Sequence, residues 1–264
     1  MSNSASIQTR NRVRVVSLLP DVVNRESVIE KIAELVKNGK GGYVCFSTVH
    51  MVMESYDNPE YGAKINAADL IVTDGMPLVW MQKMQGVKTA SRVRGSDLMI
   101  SLCRYAEKTG LSVGFYGGRK EVINVVTERA AKELPKLKIV YTFSPPFRSL
   151  TGEEDVLVTA EINAAAPDIL FTGLGCPKQE NWMWTHKSKL KTVMLGVGAA
   201  FDFYAGNLKE SPEWMRKSGL EWLFRLTQEP KRLWKRYLLL NPRFMWLATL
   251  QLLGLKDFEK DNKN

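Results

Sequence analysis

At 264 residues, with 45% hydrophobic and 25% charged side chains, the chain has the composition of a globular protein with an ample core. That length suits one large domain, or a domain with an appendage. A formal charge of +9 points to anionic company: phosphates, nucleic acid or an anionic membrane surface. Cys45, Cys103 and Cys176 are widely spaced, no CxxC occurs, and His50 and His186 are the only histidines, which argues against a zinc site or a disulfide framework and for a reducing cytosol. Residues 1–12 are polar without an apolar segment, so no secretory signal is expected. No run reaches the ~18 apolar residues of a spanning helix.

Residues 13–18 form an apolar run suited to a first strand. Residues 25–38 carry Val28, Ile29, Ile32, Leu35 and Val36 at helical spacing and stop at Gly39. A second strand over 43–48 leads into a helix opening at Val49, and 59–68 reads as another helix. Residues 71–80 then pass from β-branched and apolar (Ile71, Val72, Thr73) through Asp74-Gly75 to a helix opening with Pro77 in its first turn. This helix reaches Gln85. The next begins at Gly95-Ser96-Asp97, runs through Ala106 and is ended by Gly110. Strands follow at 112–116, 138–143, 168–172 and 192–197, interleaved with helices at 121–134, 152–165 and 178–187. The alternation predicts βαβ units and a Rossmann-like α/β fold over residues 1–206: a mostly parallel sheet with helices on both faces.

After Gly206 the composition shifts, and residues 207–264 read as a basic, Trp-rich appendage. Between 214 and 246, Arg216, Lys217, Arg225, Lys231, Arg232, Lys235, Arg236 and Arg243 face only Glu221 and Glu229 among the acids, and four tryptophans join them. Residues 244–255 are almost wholly apolar but too short to span a bilayer. Short helices broken by Pro230 and Pro242 and rich in Trp, Arg and Leu read as interfacial membrane binding. The alternative is a helical pair packed on the core with its charges solvated.

Three glycine turns close strands. Asp74-Gly75 places a carboxylate at the carboxyl end of a strand, where open α/β sheets bind ligands; an ordinary helix N-cap is its other reading. Gly173-Leu174-Gly175-Cys176-Pro177-Lys178-Gln179-Glu180 brings glycine N–H groups to a helix N-terminus, an anion site made of backbone. Lys178 would add a cation there and Gln179 an amide for a sugar or base. Gly196-Val197-Gly198 is a similar turn, but both lack the third glycine of the dinucleotide fingerprint, so tight-turn packing stays open for each. No phosphate-loop, nucleophile-elbow or DxD signature occurs; a diphosphate would have to be met by arginines and helix ends. Arg92 and Arg94 precede a helix start, Asp97 reads as a cap, and His50 as a polar strand-end group.

Taken in order, Thr73-Asp74-Gly75-Met76-Pro77, Arg92-Val93-Arg94-Gly95-Ser96-Asp97-Leu98, Gly173 to Trp182, Gly196 to Phe203, and the segment from Trp214-Met215 to Glu229-Pro230 resemble the WecG/TagA/CpsF family of bacterial glycosyltransferases, over residues 14–237. The resemblance implies a metal-independent, inverting transfer from a UDP-sugar to a polyprenyl-diphosphate-linked saccharide, at the inner face of the cytoplasmic membrane, in cell-surface polysaccharide synthesis. It implies Asp74 as catalytic base, and Arg92 and Gln179 as contacts to the sugar nucleotide. Arg225 and Arg232 would be appendage arginines brought over the site, followed by Arg236 or Lys235. Gly173, Gly175, Lys178 and Gly198 join them as candidate donor or diphosphate groups, and Thr48 and His50 as candidate substrate contacts. No cofactor, metal or nucleic acid is expected; an anionic membrane surface is, and self-association through the core is a further candidate. Phe46 and Thr48 stand where many members carry Thr and Asn. Val49-His50 is reminiscent of exopolysaccharide members, which sets glucuronate or another sugar beside N-acetylmannosamine or its uronate as donor. Two rival readings are a nucleotide-dependent oxidoreductase on the same architecture and a nucleic-acid-binding module.

Overall fold

The computed structural model describes residues 10–259, so most of the polar N-terminal stretch lies outside the described residues. Six strands, β1 (Gly42–Ser47), β2 (Leu70–Thr73), β3 (Ser112–Gly117), β4 (Lys138–Phe143), β5 (Ile169–Gly173) and β6 (Val193–Gly196), form one sheet in the order β2-β1-β6-β5-β3-β4. Every pairing in it is parallel. The interior strands are buried on both faces, as a parallel sheet under helices requires, and therefore read as near-continuous apolar runs.

Side-chain alternation along each strand feeds two cores. Val44 and Phe46 of β1 point into one, with α1 (Arg25–Asn38), α5 (Gly95–Thr109), α6 (Lys120–Glu133) and α9 (Ala200–Tyr204). Tyr43 and Cys45 point into the other. There they meet α2 (Val49–Asp57), α3 (Pro59–Asn66), α4 (Met76–Met84), α7 (Gly152–Ala165) and α8 (Lys178–His186). The helices start where the sequence offers caps. Asn24 and Thr151 close capping boxes on α1 and α7, and Asn58 accepts from Tyr61 N–H ahead of Pro59.

The appendage holds α10 (Glu213–Lys217), α11 (Glu221–Gln228) and α12 (Pro230–Leu252). Pro230 starts α12, but Pro242 lies inside it, so the expected break there does not occur. An interior proline costs about 3 kcal/mol. Leu233, Phe244 and Leu247 of the same helix are buried, each worth about 1.5–3 kcal/mol, and that packing outweighs the proline. Phe244, Leu247 and Ala248 belong to the second core, so α12 packs on the face of the α/β unit carrying α2 and α4.

The expected first strand at 13–18 is also corrected. It makes only isolated bridges, Arg12 with Asp21 and Val15 with Leu18. Val15, Val16 and Leu18 are fully buried, yet Val16 turns at φ 54 and gives its N–H to Gln251 of α12 at 2.7 Å. Apolar burial without sheet pairing explains why the run looks like a strand. No helix among the described residues is long and apolar enough to cross a membrane.

Candidate active site

The loops after β1, β2, β5 and β6 meet α11 and α12 around one cavity. Asp74 stands at its β2 edge. The N–H groups of Asp74 and Gly75 both bond to the Ser47 carbonyl, at 2.9 and 3.1 Å, which pins the turn to the end of β1. Gly75, not Asp74, is the N-cap of α4, and no side chain caps that helix. The Asp74 carboxylate turns instead to the start of α5, where Oδ2 accepts the Gly95 N–H at 3.2 Å. Arg92 donates Nε–H to the Asp74 carbonyl and lies 3.3 Å from Oδ1. Burial pushes this carboxyl up from the ordinary carboxylate range; Arg92 opposes the shift, Glu221 adds to it, and the net direction is up. A carboxylate so placed, partly open to the cavity, can accept a proton.

Beside it lies a charge network that joins core and appendage. Glu221, at the first position of α11, reaches Arg92 at 2.7 Å and Arg94 at 3.2 Å. Arg94, almost fully buried, also pairs with Asp97 at 3.1 Å and Glu210 at 2.9 Å and lies over the Phe203 ring. Burial alone would raise the Glu221 carboxyl, but Arg92 and Arg94 hold it below its usual value.

Across the cavity, Gln179 ties the two glycine turns together. Its Oε1 accepts the N–H groups of Gly175 and Gly198, both at 3.1 Å, and its Nε2 donates to the Gly196 carbonyl at 2.8 Å and to Glu180 at 2.7 Å. All four hydrogen-bonding positions of the amide are thereby occupied. Glu180, fully buried, also accepts from Tyr61 Oη at 3.1 Å; burial pushes its carboxyl up, against the pull of Gln179 and Tyr61.

The third wall is α12 with the end of α11. Arg225 and Arg232 both pair with Glu229, at 3.1 and 2.6 Å. Arg236 is different. It lines the cavity, largely buried, with Nε unbonded and no carboxylate partner among the described residues. Burial lowers its pKa, and Arg225 and Arg232 add to that. Burial, then the Arg236 charge, pushes His50 down to about 3, so this imidazole is neutral at physiological pH.

The sequence model of the Glycosyl transferase WecG/TagA/CpsF family matches residues 13–257, nearly every element described above. The chain belongs to that family. Its relatives include N-acetylglucosaminyldiphosphoundecaprenol N-acetyl-beta-D-mannosaminyltransferases. That of Bacillus spizizenii (strain ATCC 23059 / NRRL B-14472 / W23) is 33% identical over 75% of this chain and 76% of its own length. That of Bacillus subtilis (strain 168) is 33% identical over 68% of each chain, and that of Staphylococcus aureus (strain MW2) is 31% identical over 64% of this chain and 65% of its own. The protein is thus a glycosyltransferase.

Of the residues singled out in this glycosyltransferase's sequence, Thr48, His50, Asp74, Arg92, Gly175, Gln179, Gly198, Arg225 and Arg232 all line the cavity. Gly173 and Lys178 do not. A Cβ on Gly173 would come within 2.5 Å of the Phe201 ring, so this glycine serves close packing of β5 against α9. Lys178 is exposed on the outer side of the α8 start. The backbone anion site expected at the two glycine turns is occupied by the protein's own amide, that of Gln179. Thr48 uses its hydroxyl on the N-cap of α2, accepting from Met51 N–H at 3.5 Å. Lys235 does not line the cavity but lies over the Trp234 ring. Glu180, Glu221 and Arg236 complete the site; the first two were legible only as neighbours within motifs, and their partners come from elsewhere in the fold.

Proposed function

We propose that this glycosyltransferase moves an N-acetylhexosamine from a UDP donor to the lipid acceptor N-acetylglucosaminyl-diphospho-undecaprenol, with inversion and without a metal ion. The observation that carries the reading is Asp74: a strand-end carboxylate, raised in proton affinity, facing a cavity that five guanidinium groups line, those of Arg92, Arg94, Arg225, Arg232 and Arg236. The acceptor hydroxyl attacks the anomeric carbon of the donor from the face opposite the diphosphate. Its proton passes to Asp74, the new carbon–oxygen bond forms, and the bond to UDP breaks with the electron pair leaving on the diphosphate. Charge developing there needs a preorganised cation. Arg236, without an acid of its own, supplies it, with Arg225 and Arg232 released from Glu229 as the diphosphate enters.

The acceptor and N-acetylmannosamine as donor sugar follow the names of the relatives. Phe46 at the position where many members carry Thr keeps a uronate donor as the second sugar to test; its ring packs against Gly95, beside Asp74. No three His, Cys, Asp or Glu side chains gather as metal ligands among the described residues.

The lipid end of the acceptor places the reaction at a membrane surface. The appendage is built for that contact: Trp214, Trp234, Leu238, Leu239 and Trp246 stay exposed beside Lys231 and Lys235, on a segment whose opposite side is buried. Flotation with vesicles holding anionic lipid tests this arm. Binding that weakens in Trp234→Ala and Trp246→Ala is the expected result, and equal recovery of all three proteins without lipid dependence would remove the membrane from the account.

A further inference from the structure

Glu221 stands apart from the other acids of the appendage. It opens α11, is only 14% exposed, and enters the core's charge network between Arg92 and Arg94. The turn before it is fixed: Gly219 adopts φ +73 against the Trp80 ring of α4, where a Cβ would come within 2.7 Å. Seating of the appendage therefore decides whether Glu221 reaches Arg92 at all.

Two carboxylates share that guanidinium. Arg92 Nη2 is 3.3 Å from Asp74 Oδ1 and 2.7 Å from Glu221 Oε2, so the appendage's acid is the nearer partner. Arg94 also bonds Glu221, through Nη2 at 3.2 Å, but divides its charge with Asp97 and Glu210. An arginine given wholly to Asp74 would favour the charged carboxylate and weaken it as a base; a second carboxylate on the same Nη2 acts in the opposite sense.

We propose that Glu221 is a positioning residue: seated with the appendage, it draws the Arg92 guanidinium off the Asp74 carboxylate and keeps Asp74 able to take the acceptor's proton. The inference rests on Asp74 being the base of the transfer described above. The charged groups facing Asp74 are Arg92 and Arg94 from the loop before α5 and Glu221 from α11, with the Gly95 N–H at the start of α5. Those facing Glu221 are Arg92, Arg94 and, from its own helix, Arg225. Docking of the appendage thus does more than cover the cavity. It sets the strength of the base, and a chain whose appendage is detached is a weak catalyst even with substrate bound.

The test is the pH profile of kcat/KM for the full chain with Glu221→Gln, read beside Asp74→Asn. Removing the Glu221 charge leaves Arg92 to Asp74 alone, so the acidic limb should move down by about one pH unit while the plateau falls several-fold. Glu221→Asp, which keeps the charge but withdraws it by one methylene, should place the limb between the two. It also carries the test if Glu221→Gln does not fold. A limb that stays fixed while activity falls evenly at every pH would reduce Glu221 to a mere anchor and overturn the proposal, as would a profile with no change. Full activity in Asp74→Asn would instead overturn the assignment of the base, so the two failures are distinguishable.

Discussion

Arg92 reaches Asp74 at two points, its main-chain carbonyl through Nε and its carboxylate through Nη2 at 3.3 Å. The first contact fixes the arginine on the turn; the second orients the carboxylate, and the same Nη2 also lies 2.7 Å from Glu221 Oε2. Asp74→Asn keeps the shape and both glycine-turn bonds to Ser47 but has no proton-accepting oxygen pair. Turnover should fall about a hundredfold or more while donor binding, read by calorimetry with UDP, is retained. Undiminished turnover would take Asp74 out of the chemistry.

The pH dependence follows in sign from the same site. A base must be deprotonated to act, and the Asp74 carboxyl titrates above the ordinary carboxylate range, so kcat/KM should decline on acidification at a pH above ~4. His50 is neutral down to about 3 and contributes no limb of its own in that window. A His50→Gln variant should therefore leave the position of the limb unchanged, whatever it does to KM. A limb that vanished in that variant would transfer the titration to the imidazole.

Arg236 and Arg225 line the same cavity but differ in what they already hold. Charge-assisted bonds to a diphosphate are worth about 1.5–3 kcal/mol, so Arg236→Gln should lower kcat/KM by roughly tenfold to a hundredfold. Arg225→Gln removes a guanidinium already shared with Glu229, and its loss should be smaller. Steady-state kinetics on the two variants with one donor decide the order; a larger loss at Arg225 would contradict it.

Gln179 gives a stability expectation in place of a binding one. Truncation to Ala strips partners from the N–H groups of Gly175 and Gly198 and from the Gly196 carbonyl. Each group left unsatisfied costs about 1–3 kcal/mol, less where cavity water reaches it. Thermal unfolding should shift down by several degrees, at roughly 2–4 °C per kcal/mol for a domain of this size. An unchanged midpoint together with lost donor affinity would return Gln179 to the role of a substrate contact.

The parts of this protein written in local pattern were legible in the sequence. Strand, turn and helix at 71–80 fold as their residues dictate, because β-branched burial, Asp-Gly and Pro77 all agree. What escaped depends on partners distant in the chain. Val15, Val16 and Leu18 carry a strand's apolarity, but their neighbour is α12 and not a sheet edge. Pro242 reads as a breaker until both sides of α12 are packed. Gln179 shows the amide of a ligand contact in sequence, yet in the fold it faces two glycine turns. Glu221 is one acid in a basic segment, and only the docking of α11 brings it to Arg92.

The central claim is a transfer, and it is tested by UDP release with UDP-N-acetylmannosamine as donor and N-acetylglucosaminyl-diphospho-undecaprenol in lipid vesicles as acceptor, in the presence of EDTA. Release that requires the acceptor, yields the lipid-linked disaccharide and is absent in Asp74→Asn is the expected result. Release that requires added magnesium would contradict transfer without a metal. No product from this donor or from a UDP-hexuronate, with UDP itself failing to bind, would contradict the account at its root.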